Sequence, residues 1–236
     1  MTARTALVVV PTYNELDNLP VLVAGLMEQP NVGLLVVDDQ SPDGTGALAD
    51  QLAIDHPGRI RVMHRTGLRG LGRSYIDGIR EAIGEPFDVI CQMDADLSHD
   101  PVQLPALIAA TDQNEVVIGS RYVPGGRIVN WPLRRKLLSR FANTYVRTVT
   151  RLVVRDCTSG YRCWRRDALA TFPLDHLTSD GYAFLVEMLY VAARNGCHIA
   201  EVPITFVERR LGESKLSRDI LMESAIAPWR IIASDL

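Results

Sequence analysis

The sequence predicts an α/β fold built on a mostly parallel sheet with helices on both faces, and three observations predict it. Short, almost wholly apolar runs recur at Ala6–Val10, Leu34–Val37, Ile60–Met63, Val89–Met93 and Val116–Gly119. Runs that lack polar alternation mark strands buried on both faces. Segments of helical character separate them, as the crossovers of a parallel sheet require. Carboxylates follow two of the runs, as Asp38-Asp39 and as Asp94-Ala95-Asp96. Open α/β sheets bind ligands at those carboxyl ends, so the first half has a nucleotide-binding layout.

The chain, at 236 residues and 47% hydrophobic content, can bury a core and fold as one large domain. A net charge of -3 argues against general nucleic-acid binding, although local basic clusters can hold phosphate or an anionic surface. Cys91, Cys157, Cys163 and Cys197 lack Cys-x-x-Cys spacing, which argues against zinc. No secretory signal precedes the first strand, so four reduced thiols in a cytoplasmic protein are expected. Apolar runs stay short of the roughly 18 residues of a membrane span, and any membrane contact is expected to be peripheral or through a partner.

Pro11 to Glu15 breaks the chain after the first strand. A helix is expected from Leu19 towards Glu28, capped by Asp17 or Asn18, with Pro20 in its first turn. The second strand repeats the pattern through the Ser41-Pro42-Asp43-Gly44 turn and a helix from Thr45 to Asp55. After Ile60–Met63, Gly67, Gly70 and Gly72 lead into a helix from Ser74 to Ala82. Their spacing is not that of a dinucleotide fingerprint, and they follow the third strand instead of the first. A nicotinamide cofactor is therefore not expected, and the glycines read as a loop passing close to other backbone.

The fourth strand leads into Asp94-Ala95-Asp96-Leu97-Ser98. In an extended chain the period of two aims Asp94 and Asp96 the same way and turns Ala95 aside. Magnesium or manganese is commonly held by one or two carboxylates together with substrate phosphates and water. A plain surface loop is the alternative reading of so short a motif. Asp100-Pro101 opens the next helix, ahead of the fifth strand.

The pattern changes after Ser120-Arg121-Tyr122. A loop from Val123 to Asn130 precedes a long helix from Pro132 to about Val153. Leu133, Leu137, Phe141 and Tyr145 recur every four residues, while Arg134, Arg135, Lys136, Arg140, Arg147 and Arg151 form a basic face. The apolar stripe packs on the sheet, lies on anionic headgroups, or does each along different turns. Asp156 to Trp164 reads as a loop entering a strand. A helix from Ala183 to Arg194 stops at Asn195-Gly196, and Pro203 places the strand His198–Val207 at an edge. Glu208 to Lys215 is a polar loop with a glycine hinge, able to close over a ligand. A last helix is expected to be interrupted at Pro228.

Seven motifs stand in order along nearly the whole chain: Pro11-Thr12-Tyr13-Asn14-Glu15, Val37-Asp38-Asp39, Gly70-Leu71-Gly72, Asp94 to His99, Gly119-Ser120-Arg121-Tyr122, Asn130-Trp131-Pro132-Leu133 and Gly212-Glu213-Ser214-Lys215. Together they resemble the family 2 inverting glycosyltransferases, and within them the dolichol- or polyprenol-phosphate mannose synthases. The resemblance implies the glycosyltransferase-A fold, with a Rossmann-like, mostly parallel sheet flanked by helices. It implies a nucleotide-sugar half over residues 1–122 and an acceptor half with amphipathic helices over 123–236.

Carried over residue by residue, it places Pro11, Tyr13, Glu15, Val37 and Asp39 around the nucleoside, with Ala95 lining the nucleotide. Asp39 can accept from a base N–H, Glu15 from a ribose hydroxyl, and Tyr13 offers a flat surface with a polar tip. Packing is the plain reading of Pro11 and Val37, and Asp38 reads equally as a structural acid. Asp94 and Asp96 become metal ligands, with Ser98 as a third, where many members carry glutamine. His99 can serve manganese, and its plain reading is a solvated loop histidine. Arg121 lies near the reacting phosphates, Arg135 and Ser139 hold the acceptor phosphate, and Arg209 and Lys215 fold over the donor diphosphate. An arginine fork suits phosphate because it gives two parallel charge-assisted hydrogen bonds.

The implied reaction is attack of a polyprenyl (dolichyl) monophosphate on GDP-mannose, with inversion and with Mg2+ or Mn2+ as cofactor. Asp96 and Arg121 are its expected catalytic residues. Rival readings are a related enzyme moving glucose or another sugar from a UDP-sugar, and a non-catalytic nucleotide-sugar-binding subunit. Some members continue into C-terminal transmembrane helices, and this chain resembles the type without them. The expected location is the cytoplasmic face of a membrane, on an anionic surface or held there by a membrane-anchoring partner protein.

Overall fold

A computed structural model describes residues 4–177, 179, 181–208 and 218–234. The first half alternates as expected: β1 (Ala6–Thr12), α1 (Leu19–Met27), β2 (Val32–Asp38), α2 (Thr45–Asp55), β3 (Ile60–His64), α3 (Leu71–Ile83), β4 (Val89–Gln92), α4 (Leu104–Ala110) and β5 (Val116–Ser120). The second half follows as β6 (Arg127–Val129), α5 (Leu133–Thr150), β7 (Arg162–Arg165), α6 (Arg166–Leu169), α7 (Gly181–Arg194), β8 (Ile199–Pro203), β9 (Thr205–Val207) and α8 (Arg218–Ala233).

The main sheet runs β3-β2-β1-β4-β7-β5-β8, and β6 pairs with β9 in a separate parallel ribbon. β7 is antiparallel to both neighbours, with Cys91 opposite Cys163 on one side and Val117 opposite the same Cys163 on the other. The remaining pairings of the main sheet are parallel. Pro203 stands at the end of β8 on the sheet edge, where a missing N–H is tolerated.

Side chains alternate across the sheet. Leu7 and Val9 of β1, with Leu35 and Val37 of β2, join a core under α3, α7 and the end of α5. Ala6, Val8 and Val10, with Leu34 and Val36, join a second core under α1 and α4. α3 lies close to the strands because residue 78 is glycine, where an added Cβ would sit 2.6 Å from Val9 Cγ1 and 2.8 Å from Val37 Cγ2. Cys91 and Cys163 are buried and unbridged, as are Cys157 and, less deeply, Cys197.

Two local expectations are corrected, and an open one is resolved. Asn18 stands at the start of α1 but does not cap it; its amide donates to Glu15 Oε2 at 2.7 Å. α8 is continuous through Pro228. The Tyr145 hydroxyl donates to the Ala225 carbonyl at 2.6 Å, holding the turn ahead of the proline from outside. The first three members of the α5 stripe do not pack on the sheet, since Leu133, Leu137 and Phe141 are 71%, 57% and 68% exposed, whereas the fourth, Tyr145, packs against the core. α5 buries Asn143, Val146 and Thr150 in its second half, and its first half covers a cavity. No helix among the described residues is long and apolar enough to cross a membrane.

Candidate active site

The strand order reverses between β1 and β4, and the segments leaving their carboxyl ends diverge there, which makes the crevice where such sheets bind ligands. A cavity of about 690 Å³ opens at that point. It is lined from β1 by Pro11, Tyr13 and Glu15, from β2 by Asp39, and from β4 by Asp94, Ala95, Asp96 and Ser98. Arg121, Arg135 and Ser139 line the same cavity. Val37 does not, because its side chain is wholly buried in the core beside Gly78. Arg209 and Lys215 lie outside the described residues.

The end of the cavity at Tyr13 and Asp39 is braced by paired charges. Asp39 forms an ion pair with Arg65, and its other oxygen accepts from the Gly70 N–H at 2.9 Å. Arg65 also holds Asp77 at 2.8 Å and the Leu68 carbonyl at 3.1 Å, so it ties the glycine loop to the strand. Arg69 donates to the Tyr13 hydroxyl at 2.6 Å and lies 5.0 Å from its ring centre. The glycine loop is thus a wall of the cavity through Gly70 and Leu71, which plain loop reading did not foresee. Asp38 is structural, buried and accepting from Thr12 Oγ1 and the Ser41 N–H, each at 3.3 Å.

The carboxylate pair is framed from behind. Asp94 accepts from the Tyr75 hydroxyl at 3.0 Å. Tyr75 stacks on Phe184 at 6.0 Å, and burial, then the Asp94 charge, pushes its phenol well above the ordinary tyrosine range. A Cβ at residue 160 would come 3.3 Å from both Asp94 oxygens, so Gly160 leaves that carboxylate its space. Asp96 Oδ1 accepts from the Ser98 N–H at 3.1 Å.

His99 is a correction, for it is 1% exposed instead of solvated. It stacks on Tyr161 at 5.0 Å and meets Phe206 edge-on at 5.6 Å. Its Nδ1 accepts the Asp94 N–H at 3.2 Å, which puts the proton of the neutral ring on Nε2. Burial lowers its pKa, against the opposing pull of Asp94 and Asp96.

No three His, Cys, Asp or Glu side chains cluster to hold a metal ion among the described residues. The donor set nevertheless fits a hard cation, which takes one or two carboxylates and draws its other oxygens from phosphate and water. Ser98 Oγ supports that fit: it is buried without a hydrogen-bond partner and its residue lines the cavity beside both acids. Leaving such a group unpaired costs about 1–3 kcal/mol, so a ligand oxygen or cation there has something to satisfy.

At the other end Arg121 is gripped by Asp156, with Nε 2.7 Å from Oδ2 and Nη2 2.6 Å from Oδ1. Its N–H also reaches Asp156 Oδ2 at 2.9 Å, and Nη2 reaches Thr158 Oγ1 at 2.8 Å. Burial is the largest single influence and alone would lower the guanidinium pKa, but the charge and hydrogen bonds of Asp156 together with smaller contributions from Tyr122 and Tyr182 exceed it, and the net direction is upward. The loop carrying Asp156 is fastened by Arg162, a fully buried arginine that donates to the carbonyls of Ser159 at 2.7 Å, Cys157 at 2.8 Å and Leu185 at 2.5 Å. Burial among carbonyls lowers its pKa to about 10, which still leaves it charged at neutral pH.

Arg135 pairs with Glu208 at 2.6 Å and lies 4.1 Å above the Trp131 ring centre. Ser139 Oγ accepts from the Tyr122 hydroxyl at 2.7 Å. Beyond these polar groups the cavity turns apolar, lined by Leu138, Ala142 and Val146 of α5, Leu185 and Val186 of α7, and Ala227 of α8. Leu138 is also 44% exposed, so this end opens to the surface that Leu137 and Phe141 share. The parts that sequence reading missed are Asp156, Thr158, Arg69, Tyr75 and Phe206. None carries a local signal, since each is joined to its partner across the fold.

An α/β sheet of this order, with paired carboxylates after β4 facing a cavity shared with arginines, defines a nucleotide-sugar transferase architecture. The chain belongs to glycosyl transferase family 2, whose profile matches residues 7–172. It is 47% identical over 234 residues to the polyprenol monophosphomannose synthase of Mycolicibacterium smegmatis, spanning 98% of this chain and 88% of that protein. It is 48% identical over 221 residues to the undecaprenyl-phosphate mannosyltransferase of Micrococcus luteus, spanning 93% and 90%. The glucosyl-3-phosphoglycerate synthase of Mycobacterium tuberculosis, solved with Mn2+, UDP-glucose and phosphoglyceric acid, shares the fold, with a TM-score of 0.69, 20% identity and coverage of 98% of this chain and 81% of that one. The expected family and glycosyltransferase-A fold are borne out.

Proposed function

We propose that this enzyme transfers mannose from GDP-mannose to a polyprenyl monophosphate, with inversion. The observation that carries the reading is a single cavity with paired carboxylates at one end, Arg121, Arg135 and Ser139 at the other, and an apolar extension opening beside Leu138. Such a cavity suits a polar donor meeting an acceptor that is anionic at its head and apolar along its tail. The names of the two mannosyltransferase relatives support the same pairing of sugar and lipid.

The nucleophile arrives charged. A phosphate monoester has a second pKa near ~6, so no general base is needed to create it at neutral pH. The chain's task is to bring two anions together. Arg135 and Ser139 hold the acceptor phosphate, and Arg121, fixed by Asp156, presents its remaining N–H to the reacting oxygens. Pro11, Tyr13, Glu15 and Asp39 seat the nucleoside, and Arg209 and Lys215 reach the donor diphosphate. A divalent cation held by Asp94 and Asp96, with Ser98 Oγ as a third oxygen, would supply positive charge against the leaving diphosphate.

The exposed Leu133, Leu137 and Phe141, beside Arg134, Lys136 and Arg140, lie against an anionic bilayer in this reading, so that the lipid passes from the membrane over Leu138 to Arg135. The direct test is transfer of radiolabelled mannose from GDP-mannose to a short polyprenyl phosphate, with a UDP-glucose control and with chelator present or absent. Mannosyl lipid that forms with added Mg2+ or Mn2+ and stops on chelation is expected. Transfer of glucose but not mannose would overturn the donor assignment.

A further inference from the structure

The two arginines at the acceptor end are held in different ways. Arg121 is engaged by both oxygens of Asp156, and the side chains of that pair are 7% and 0% exposed. Arg135 meets Glu208 through one contact, Nη1 to Oε1 at 2.6 Å, with side chains 19% and 34% exposed. Separating a buried bidentate pair is prohibitive, whereas a single partly exposed contact contributes little and exchanges readily.

Arg135 does not depend on Glu208 for its position. Its guanidinium is stacked on Trp131, which is itself braced edge-on by Phe206 at 5.3 Å. Glu208 is placed by backbone: it follows β9 directly, and its N–H donates to the Val129 carbonyl at 3.2 Å, continuing the β6–β9 ribbon. A preorganised cation in the cavity wall therefore carries a carboxylate delivered to it by two short strands. To a guanidinium, a carboxylate offers the same kind of oxygen acceptors as a phosphate.

Resting on the function proposed above, we propose that Glu208 is an intramolecular stand-in for the acceptor phosphate, occupying Arg135 when no lipid is bound and competing for it when one is. The consequence falls on product release. The entering monoester carries about -1.5 to -2 at neutral pH, and the departing phosphodiester carries one negative charge because its attacking oxygen is now bonded to sugar. A competing carboxylate weakens both by a common factor, and the singly charged product, already the weaker ligand, is the one then displaced.

Farnesyl monophosphate and its methyl diester are soluble probes of this site, read by intrinsic tryptophan fluorescence, to which Trp131 beside Arg135 contributes, in the wild type and in Glu208→Gln, which keeps side-chain length and removes the charge. Both probes are expected to bind about fivefold more tightly to the variant, by the same factor, with GDP affinity unchanged. In an Arg135→Gln background the same substitution should produce no gain. In transfer assays the variant should show a lower acceptor KM and stronger inhibition by mannosyl lipid.

Weaker or unchanged binding in Glu208→Gln would overturn the proposal and make Glu208 a residue that orients Arg135 or does nothing for it. A larger gain for the monoester than for the diester, or a parallel gain for GDP, would also overturn it, since both are marks of long-range repulsion instead of competition. A wild type that transfers mannose normally while the variant shows no gain removes this assignment alone. A wild type that transfers none removes the reading beneath it.

Discussion

Asp156 is wholly buried, and both of its carboxylate oxygens are committed to Arg121, 35 residues earlier in the chain. Removing one partner of such a pair strands the other charge in the interior. Asp156→Ala should lower stability by about 3–5 kcal/mol in urea denaturation. Asp156→Asn, which keeps the shape, should fold better yet still lose most transfer, because Arg121 is no longer held in place. A stable Asp156→Ala variant with full activity would reject this role.

Asp96 is only partly buried, so Asp96→Ala should leave the circular dichroism spectrum and thermal midpoint close to those of the wild type while abolishing transfer. Normal turnover by the folded variant would sink the metal assignment.

Arg135→Ala should raise the acceptor KM by about tenfold or more, the worth of one charged hydrogen bond, with little change in the KM for GDP-mannose. Acceptor kinetics that stay unchanged would remove Arg135 from the phosphate site.

The outward face of α5 makes a separate prediction. Leu137→Glu with Phe141→Glu should leave folding and transfer to a short soluble acceptor intact, because both residues are exposed, and should reduce co-sedimentation with phosphatidylglycerol vesicles. Equal vesicle binding by the double variant would rule this face out as the membrane contact.

Thiol chemistry tests the core. Cys197 is the partly exposed cysteine, so it should be alkylated first at pH 8, with Cys91, Cys157 and Cys163 labelled only after unfolding, as peptide mass mapping would show. Burial raises the Cys157 thiol from 9.0 to about 12. The folded state therefore keeps a proton that the unfolded state gives up. That contribution to stability is whole below pH 9.0 and is lost progressively as pH rises towards 12. Cys157→Ala should flatten this part of the alkaline denaturation curve.

Much of this was legible because it is local. β1, β2, β4 and β5 announce themselves as apolar runs, and the acids after β2 and β4 stand where a parallel sheet presents ligands. What escaped was decided by distant partners. A strand at the end of the Asp156–Trp164 stretch was expected, but not its antiparallel place between β4 and β5: β7 is Arg162-Cys163-Trp164-Arg165, a polar-looking run held there by Trp164 donating to Gln92 Oε1 at 2.8 Å and by Arg162 finding three carbonyls. His99 looks like a loop residue until Tyr161 and Phe206 close around it. The periodicity of α5 was correct, but periodicity does not say which turns of an apolar stripe meet the core, and here Tyr145 does while Leu133, Leu137 and Phe141 do not.

The antiparallel position of β7 also constrains how the protein is made. β4 and β5 are complete by residue 120, but the strand that joins them is not synthesised until residues 162–165. A nascent chain of intermediate length thus presents one bare edge of β4 and both edges of β5, all rich in valine and isoleucine and ready templates for pairing with other chains. Fragments ending between residues 121 and 161 should precipitate or remain bound to chaperones. Residues before and after position 122 accordingly cannot be produced apart and mixed: the ribosome must deliver residue 165 before β5 can join the sheet that carries the paired carboxylates.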